Sequence, residues 1–404
     1  MNGRLQNKKD RAALPLSVER HVTTGKPTRG HIRKAVLFSH ASDLSGAPIA
    51  LVRLARLLPD CGFRPLVLLP GPGPLETVLQ ERGVRYRVLR APFAPFDFIS
   101  ILKQERADIV HVNSLVTSWP VLAARLMRVP VVWHVHEYLG KKKIYAGIIH
   151  GVSNGVILIS NEQYSLFAEK PMAVRIPNGI ETARYEAEKP VPGEGGSVID
   201  AGETAVLSIG RIERTKGLLV LARAAAHLKG RRIRYLVVGG VPKNAARYEE
   251  ELFAFLKQNG LKDSFEFLGY RRDIPDILSN ADILCHPSYS DTFPLVVLEA
   301  MASALPVIGT SVGDVPYMVE DARTGYVLDP GDHEALAQRI DFLACNPALR
   351  RRMGAEARKR AQELFEIHVQ AAGVAAFYDR VIRKKRGRRP SAGGCSKRRD
   401  PAGP

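Results

Sequence analysis

Two basic residues near the middle of the chain have the types and spacing of a phosphate-binding loop. Gly210 and Arg211 follow a short apolar run, and Lys216 comes five residues later, immediately before Gly217. Arginine offers a planar fork of donors that suits phosphate oxygens, and lysine offers a mobile point charge. A helix beginning behind them would add the partial positive charge of its N-terminus. We predict that Gly210, Arg211 and Lys216 bind a diphosphate, with a solvated surface loop as the alternative.

An acidic segment further along the chain could bind hydroxyl groups. Asp291 precedes Pro294, which suits the start of a helix, and Glu299 falls within the second turn of that helix. A carboxylate has two acceptor oxygens and can hold both hydroxyls of a ribose. The free backbone N–H groups at the helix start, near Phe293 and Leu295, would face the same space. We predict that this segment binds a ligand; the alternative is a helix cap with a surface charge.

Two further residues stand at the ends of apolar runs, where parallel sheets hold their ligands. His136 follows Val131–Val135 and could orient a hydroxyl or a phosphate, with a hydrogen-bonded core histidine as the alternative. Gly46 lies in the turn after the first apolar run, where it either lets a ligand approach the backbone or serves the turn alone. We expect His134 and His136 to point to opposite faces of their strand, so we predict no metal site.

Apolar runs of strand length alternate with amphipathic helical patterns along the chain. In the first helix, Leu51 and Leu54 lie on one face while Arg53 and Arg56 lie on the other. Near-continuous apolar strands separated by helices are typical of a parallel sheet covered on both faces. The pattern occurs twice, so we predict an α/β protein with two doubly wound, Rossmann-like domains that face each other across a ligand-binding cleft.

These patterns divide the chain into six predicted segments. They are a basic, disordered tail over 1–30, a first Rossmann-like domain over 31–185, a linker rich in Pro, Gly and Glu over 186–204, a second Rossmann-like domain over 205–365, a helix over 366–383 and a second basic, disordered tail over 384–404. The helix carries an apolar stripe that packs either on the second domain or back on the first.

The chain has 404 residues and a formal net charge of +18, and most of that charge lies near its ends. Residues 1–34 carry +7 and residues 383–404 carry +8, which leaves +3 for the rest. Basic tails bind anionic lipids or RNA by electrostatics, but no nucleic-acid-binding motif accompanies these. We expect solvated tails and no specific nucleic acid partner, with peripheral contact with an anionic membrane as the alternative.

Several classes of protein are excluded by motifs that the chain lacks. Four scattered cysteines form no disulfide framework or zinc ribbon, and no apolar run has the length of a membrane span. The first turn has only Gly46 in place of a dinucleotide-binding G-x-G-x-x-G, and the segment from Gly210 to Lys216 lacks the second glycine of a Walker A loop. Without a secretory signal, the chain is expected to be cytoplasmic.

Taken in order, these motifs resemble the retaining, nucleotide-sugar-dependent glycosyltransferases of family 4, which have the GT-B fold. The resemblance covers residues 35–380, and the matching pieces are Ser45–Ala47, His136, Ile176–Ile180, Ser208–Arg211, Lys216–Gly217, Phe267–Gly269, Asp291–Ala302, Gly325–Val327 and Asp329–Asp332. Each piece alone is a weak signal, and their order over both domains makes the resemblance specific. One position departs from the family: Asp291 stands where it usually has the first Glu of an E-x7-E pair.

The resemblance implies a role for each candidate residue. Arg211 and Lys216 would bind the donor diphosphate and stabilise it as it leaves, and Glu299 would hold the ribose hydroxyls. Asp291 and His136 would contact the donor sugar. The remaining members of the implied nucleotide-sugar site are Gly46, Gly210, Phe293, Pro294 and Leu295. The family's last helix crosses back to the first domain.

The resemblance also implies an activity. A hexosyl group would pass from a nucleoside-diphosphate sugar to a glycan, lipid-linked or small-molecule acceptor, with retained configuration and without a bound metal or tightly bound cofactor. Loops near Leu44, Trp119 and 138–143 would bind the acceptor, and the product would serve polysaccharide or glycolipid synthesis at the inner face of the membrane. The Asp at 291 supports an alternative, a catalytically weak or inactive nucleotide-sugar-binding or glycan-binding protein.

Overall fold

A computed structural model describes residues 32–137, 143–167, 171–186 and 202–387. The predicted tail over 1–30 lies outside these residues, as do most of the predicted linker over 186–204 and most of the predicted tail over 384–404. Within the described residues, thirteen strands form two sheets, and every strand pairs in parallel with its neighbour. This confirms the prediction of two doubly wound domains, which we call the first and second lobes.

The first lobe contains a seven-stranded sheet in the order β3-β2-β1-β4-β5-β6-β7. Its strands are β1 Arg33–Ser39, β2 Phe63–Leu69, β3 Tyr86–Val88, β4 Ile109–Asn113, β5 Val131–Val135, β6 Gly155–Leu158 and β7 Ala173–Arg175. Its helices are α1 Gly46–Leu57, α2 Leu75–Glu81, α3 Pro95–Glu105, α4 Trp119–Leu126, α5 Lys143–Val152 and α6 Asn161–Ser165. Successive residues of β1 point to opposite faces of the sheet: Leu37 lies in one hydrophobic cluster and Phe38 in another, so helices cover both faces.

The second lobe repeats this design with a six-stranded sheet in the order β10-β9-β8-β11-β12-β13. Its strands are β8 Thr204–Ile209, β9 Ile233–Val238, β10 Phe265–Gly269, β11 Ile283–His286, β12 Val307–Thr310 and β13 Gly325–Leu328. Its helices are α7 Leu218–His227, α8 Ala246–Gln258, α9 Ile274–Ser279, α10 Leu295–Ala302, α11 Val315–Met318, α12 His333–Cys345 and α13 Pro347–Phe365. The strand order reverses between β1 and β4 in one sheet and between β8 and β11 in the other, and ligands bind at such reversals.

The last helix, α14 (Ile367–Gly387), packs in the core of the first lobe. The Tyr378 ring meets the Phe63 ring edge-on at 5.3 Å between centroids, and the Tyr378 hydroxyl is hydrogen-bonded to His111 Nδ1 at 2.6 Å. A Cβ atom on Gly155 would lie 2.8 Å from the Phe377 ring, so β6 and α14 approach closely. The apolar stripe on this helix therefore belongs to the first lobe, and the helix extends to Gly387 rather than to 383.

Candidate functional site

The predicted phosphate loop follows β8 and leads into α7. A short 3-10 turn over Arg214–Lys216 ends at Gly217, which has φ 69° and precedes the first residue of α7. A Cβ atom on Gly217 would lie 1.9 Å from the carbonyl oxygen of Pro287, so only glycine lets this loop approach the segment after β11. Lys216 is thereby held against the loop that leads to α10.

Lys216 and Asp291 form an ion pair in the gap between the loop after β8 and the segment after β11. The distance from Lys216 Nζ to Asp291 Oδ2 is 2.6 Å, and the Nε2 atom of His286, at the end of β11, lies 3.4 Å from the same oxygen. Burial alone would raise the pKa of Asp291, but His286 and Lys216 outweigh it and hold that pKa well below its usual value. Asp291 is therefore an anion at neutral pH, beside a cation.

Arg211 lies at the rim of the same loop. Its side chain is 67% exposed, and its Nη2 atom pairs with Glu213 at 3.0 Å. Gly210 stands over Lys216, since a Cβ atom at Gly210 would contact the lysine stem at 3.6 Å. An exposed arginine next to a partly buried lysine can turn toward a ligand without breaking a buried contact.

Helix α10 begins at Leu295, with Pro294 in the capping position just outside it. The prediction had placed Pro294 inside the first turn. Phe293 and Pro294 are buried, and Leu295 reaches the first lobe, because a Cβ atom on Gly46 would lie 3.8 Å from Leu295 Cδ1. Gly46 is the first residue of α1, so the starts of α1 and α10 face each other across the cleft.

Glu299 also faces the first lobe. Its Oε1 atom accepts a hydrogen bond of 3.0 Å from Arg53 Nη2, and both side chains are 11% exposed. Tyr185 lies beside this carboxylate, and burial together with Glu299 raises the pKa of the Tyr185 phenol. Among the described residues, neither predicted phosphate-binding cation pairs with Glu299. At Arg53, the polar face of α1 is covered by the second lobe.

His136 is held by an asparagine from the neighbouring strand. His136 Nε2 donates to Asn113 Oδ1 at 2.8 Å, and Asn113 Nδ2 donates to the carbonyl oxygen of Ala47 at 2.9 Å. Asn113 therefore joins His136 to the first turn of α1, which begins at Gly46. Burial, with smaller contributions from His111 and His40, lowers the pKa of His136 to about 3. His136 is therefore neutral at pH 7 and can hydrogen-bond to a ligand without adding charge.

The expectation that His134 and His136 point to opposite faces was wrong. Residues two apart on a strand share a face, and the two rings lie 4.2 Å apart between centroids. His111 lies 5.1 Å from His134, so the three imidazoles form one cluster, in which His111 and His134 are buried and His136 is half-buried. Burial lowers the pKa of His111 to about 3 and that of His134 well below its usual value. Even so, the described residues contain no group of three or more His, Cys, Asp or Glu arranged to hold a metal ion.

These three histidines should make the protein sensitive to acid. Each binds a proton in the unfolded chain below about pH 6.5 but resists protonation in the folded chain, so the free energy of unfolding should fall as the pH drops. Between pH 6.5 and the folded pKa values, each histidine contributes a loss of up to about 1.4 kcal/mol per pH unit. Urea titrations from pH 7.5 to 5 would measure this slope.

A pair of variants makes the measurement specific. His134→Gln removes one buried proton acceptor and should reduce the slope by one proton, whatever its effect on stability at pH 7.5. His368→Gln, at an exposed position, should leave the slope unchanged. A wild-type slope near zero over this range would show that the cluster is already protonated or open to solvent.

Several residues of the cleft were not predicted from the sequence. Asn113 and His286 are polar ends of apolar strands, and that signal could have identified both. The Arg175–Asp314 ion pair, at 2.8 Å with side chains 10% and 2% exposed, joins β7 of the first lobe to the start of α11 in the second. Asp314 Oδ1 also accepts from the backbone N–H of Asn161 at 2.8 Å. No local pattern indicates this pairing, since its members lie 139 residues apart.

Two family models match the chain, one on each lobe. The model described as "Glycosyltransferase Family 4" matches residues 44–184, and the model described as "Glycosyl transferases group 1" matches residues 195–360. Together they cover about three quarters of the chain, and the predicted resemblance is confirmed. The chain belongs to the family 4 glycosyltransferases, which have the GT-B fold.

Curated relatives include D-inositol 3-phosphate glycosyltransferases of Mycobacterium and Nocardia species. That of Mycobacterium sp. (strain KMS) is 34% identical over 197 residues, which are 48% of this chain and 44% of the relative. That of Nocardia farcinica is 28% identical over 265 residues, 64% of this chain and 58% of the relative. The chain thus spans about half the length of the curated relatives it matches.

Solved structures share the fold over most of the chain. HepE of Anabaena, in complex with UDP, superposes with a TM-score of 0.75 at 22% identity and covers 86% of this chain and 100% of that one. Sucrose-phosphate synthase from Thermosynechococcus elongatus has a TM-score of 0.69 at 20% identity, over 87% and 100% of the two chains. Among the described helices, none combines the length and apolar character that would let it cross a bilayer.

Proposed function

We propose that this protein transfers a glycosyl group from a nucleoside-diphosphate sugar to an acceptor bound by the first lobe, with retention of configuration. The observation that carries the proposal is the Lys216–Asp291 pair, because it gives the gap after β8 and β11 a cationic side and an anionic side 2.6 Å apart. A sugar diphosphate fits this polarity, with its phosphates at Lys216 and Arg211 and its sugar hydroxyls at Asp291.

The two cations would act on the departing diphosphate. Bond breaking at the sugar C1 sends the electron pair to a phosphate oxygen, and positive groups held near that oxygen stabilise it. Two unit charges about 4 Å apart interact by roughly 4 kcal/mol at an effective dielectric constant of about 20. No bound metal is required in this scheme, because the side chains supply the positive charge.

The remaining residues would orient the sugar and the nucleotide. Asp291, anionic and fixed by Lys216, would accept hydrogen bonds from sugar hydroxyls, and neutral His136 would contact the sugar from the opposite lobe. Glu299 would hold the ribose hydroxyls, sharing its carboxylate with Arg53. The acceptor oxygen would bond to C1 from the face that the diphosphate leaves and pass its proton to the departing phosphate, which gives retention.

The acceptor and the donor base are the open choices within this proposal. The relatives act on D-inositol 3-phosphate according to their names, so an inositol phosphate is one candidate beside glycan and lipid-linked acceptors. HepE was solved with UDP-glucose, which makes a UDP-hexose a reasonable first donor. The proposal includes a cytoplasmic location, with peripheral contact at the inner membrane face where the acceptor is lipid-linked.

Nucleotide release tests the proposal directly. The full chain is incubated with UDP- and GDP-hexoses and with D-inositol 3-phosphate or a lipid extract, and freed nucleoside diphosphate is measured. Release that depends on the acceptor, together with a new glycosylated product of retained configuration, is the expected result. Donor that binds in calorimetry but is never transferred would instead favour the nucleotide-sugar-binding protein, for which the shortened carboxylate at Asp291 is the supporting observation.

A further inference from the structure

We propose that Asn113 is a positioning residue that fixes the proton of the His136 imidazole on Nε2, so that Nδ1 accepts a hydrogen bond from a hydroxyl of the donor sugar and does not bind the diphosphate. The position of the proton follows from hydrogen bonds within the first lobe. The identity of the ligand rests on the proposed function.

The orientation of the Asn113 amide is set by a backbone carbonyl group. Asn113 is fully buried, and its Nδ2 atom lies 2.9 Å from the carbonyl oxygen of Ala47. A carbonyl oxygen only accepts hydrogen bonds, so the amide NH2 group faces Ala47 and Oδ1 faces away from it. With the amide turned over, two acceptor oxygens would meet in a buried contact. The first turn of α1 therefore decides which end of the amide meets His136.

The Asn113 oxygen in turn decides the tautomer of His136. Oδ1 lies 2.8 Å from His136 Nε2, and an amide oxygen cannot donate, so the proton of this hydrogen bond is on Nε2. A neutral imidazole has one N–H group, which leaves Nδ1 with a lone pair. Among the described residues, none is hydrogen-bonded to Nδ1. This atom can therefore accept a hydrogen bond from a ligand but cannot donate one.

The backbone around this pair is held by further hydrogen bonds. Ser114 is fully buried and has φ 85°, a conformation that is unfavourable for a residue with a Cβ atom and persists only where its surroundings enforce it. Its hydroxyl donates to the Glu137 carboxylate, which also accepts from the backbone N–H of His136 at 3.2 Å. The Trp133 indole donates to the Ser114 carbonyl oxygen at 2.8 Å. The ends of β4 and β5 are thus tied together, which suits a pair that must keep one geometry.

An imidazole that only accepts distinguishes the two halves of a nucleotide sugar. The oxygens of its diphosphate carry no proton at neutral pH and only accept hydrogen bonds, so they cannot pair with Nδ1. A sugar hydroxyl can donate to Nδ1. The cations that suit the phosphates, Arg211 and Lys216, lie after β8 in the second lobe. His136 is therefore assigned to the sugar alone.

The site of the proton is tested on the free protein, without substrate. The full chain is labelled with ¹⁵N-histidine, and long-range ¹H–¹⁵N spectra at pH 7.5 report which ring nitrogen carries the proton. The chain has 11 histidines, and the signals that disappear in His136→Phe belong to this residue. We expect a protonated Nε2 and an unprotonated Nδ1. A proton on Nδ1, or two equally populated tautomers, would overturn the proposal.

Two substitutions at Asn113 separate positioning from packing. Asn113→Leu accepts no hydrogen bond, so the proton of His136 should redistribute and UDP-glucose should bind about tenfold more weakly. Asn113→Asp still accepts from Nε2 and should restore much of that binding at pH 7.5. Its carboxylate also raises the pKa of His136, so binding should fall more steeply than in the wild type as the pH drops to 5. An aspartate variant as weak as the leucine variant would contradict the assignment.

The other titratable groups around the ring are the same in all of these proteins. They are His40 after β1, His111 in β4, His134 in β5 and the Glu137 carboxylate. Any acid response of these groups is therefore present in the wild type as well. Only the part of the pH response that Asn113→Asp adds to that of the wild type is assigned to position 113.

Asn154→Leu is the matched control. Asn154 Oδ1 accepts from the backbone N–H of Val131 at 3.0 Å, at the other end of β5. The variant loses an amide that supports the same strand, but the tautomer of His136 and the binding of UDP-glucose should not change. Equal effects of Asn113→Leu and Asn154→Leu would assign both to the packing of the strand and overturn the proposal.

Calorimetry with ligand analogues tests which half of the donor His136 contacts. His136→Phe should bind UDP as the wild type does and UDP-glucose about tenfold more weakly. Weaker binding of UDP itself would place His136 at the phosphates and overturn the proposal. Fluorine can accept a hydrogen bond but cannot donate one. At one position of the sugar, the deoxy and deoxyfluoro analogues of UDP-glucose should therefore both bind weakly to the wild type, with no further loss in His136→Phe.

Failure of the proposed function would look different. A wild-type protein that shows the expected tautomer but binds neither UDP nor UDP-glucose would contradict the nucleotide-sugar site and, with it, the assignment of His136 to a donor sugar. The role of Asn113 in fixing the proton would stand, because the spectra of the free protein establish it separately.

Discussion

Lys216→Ala should lower kcat/KM for glycosyl transfer by about 10²- to 10³-fold, the loss that follows removal of one donor to a developing oxyanion. The Lys216 side chain is 25% exposed and its Nζ atom lies 2.6 Å from Asp291 Oδ2, so its charge acts in a partly desolvated gap. Because charge on the diphosphate grows as the bond to the sugar breaks, the loss should fall mainly on kcat. Arg211→Ala should act in the same direction. Nucleotide release under initial-rate conditions would measure both.

Arg214→Ala is the matched control for these variants. Arg214 lies in the same loop, its side chain is 67% exposed as that of Arg211 is, and it pairs with Glu251 rather than facing the gap. We expect its kinetics to remain those of the wild type. Wild-type turnover by Lys216→Ala would contradict the role given to this lysine, and equal losses in all three variants would point to a general effect of positive charge.

Arg175→Met should lower the free energy of unfolding by about 3–5 kcal/mol, because it leaves the carboxylate of Asp314 buried without its cation. Asp314 is only 2% exposed, and burial already raises its pKa despite the nearby guanidinium. The guanidinium also stacks on Tyr317, 4.1 Å from the ring centroid, so the change removes packing between the lobes as well. Chemical denaturation at pH 7.5 would measure the loss.

Two comparisons distinguish this effect from a general cost of losing an arginine. Arg231→Met breaks an ion pair with Asp341 whose side chains are 55% and 30% exposed, and it should cost no more than about 1 kcal/mol. Adding Asp314→Asn to Arg175→Met removes the stranded charge but keeps an acceptor for the Asn161 N–H, so much of the stability should return. A loss of equal size at Arg231 would contradict the explanation.

The framework of the molecule was predictable because its signals are local. Apolar runs of strand length such as Val131–Val135 are typical of buried strands, and the helical patterns between them indicate parallel pairing. The order of motifs from Gly46 to Glu299 then indicated the family. At the site, the sequence predicted that Arg211 and Lys216 follow β8, and the resemblance implied that Asp291 contacts the donor sugar. The ion pair between Lys216 and Asp291 was not predicted.

Contacts between distant segments were not predictable in this way. Arg53 belongs to the polar face of an amphipathic helix, and nothing nearby in sequence shows that Glu299, 246 residues away, covers it. The pairing of Arg175 with Asp314 has the same character. The histidine cluster was missed for a different reason. We expected His134 and His136 on opposite faces of their strand, whereas residues two apart on a strand share a face.

Helix α14 has a consequence for how the chain is made. The first lobe is built from residues 33–175, yet its core also contains Val374, Phe377 and Tyr378. A nascent chain therefore carries an unfilled groove on its N-terminal half until the ribosome has synthesised roughly two hundred further residues. The first lobe is translated first but its core is completed last, because α14 is synthesised only after all of the second lobe.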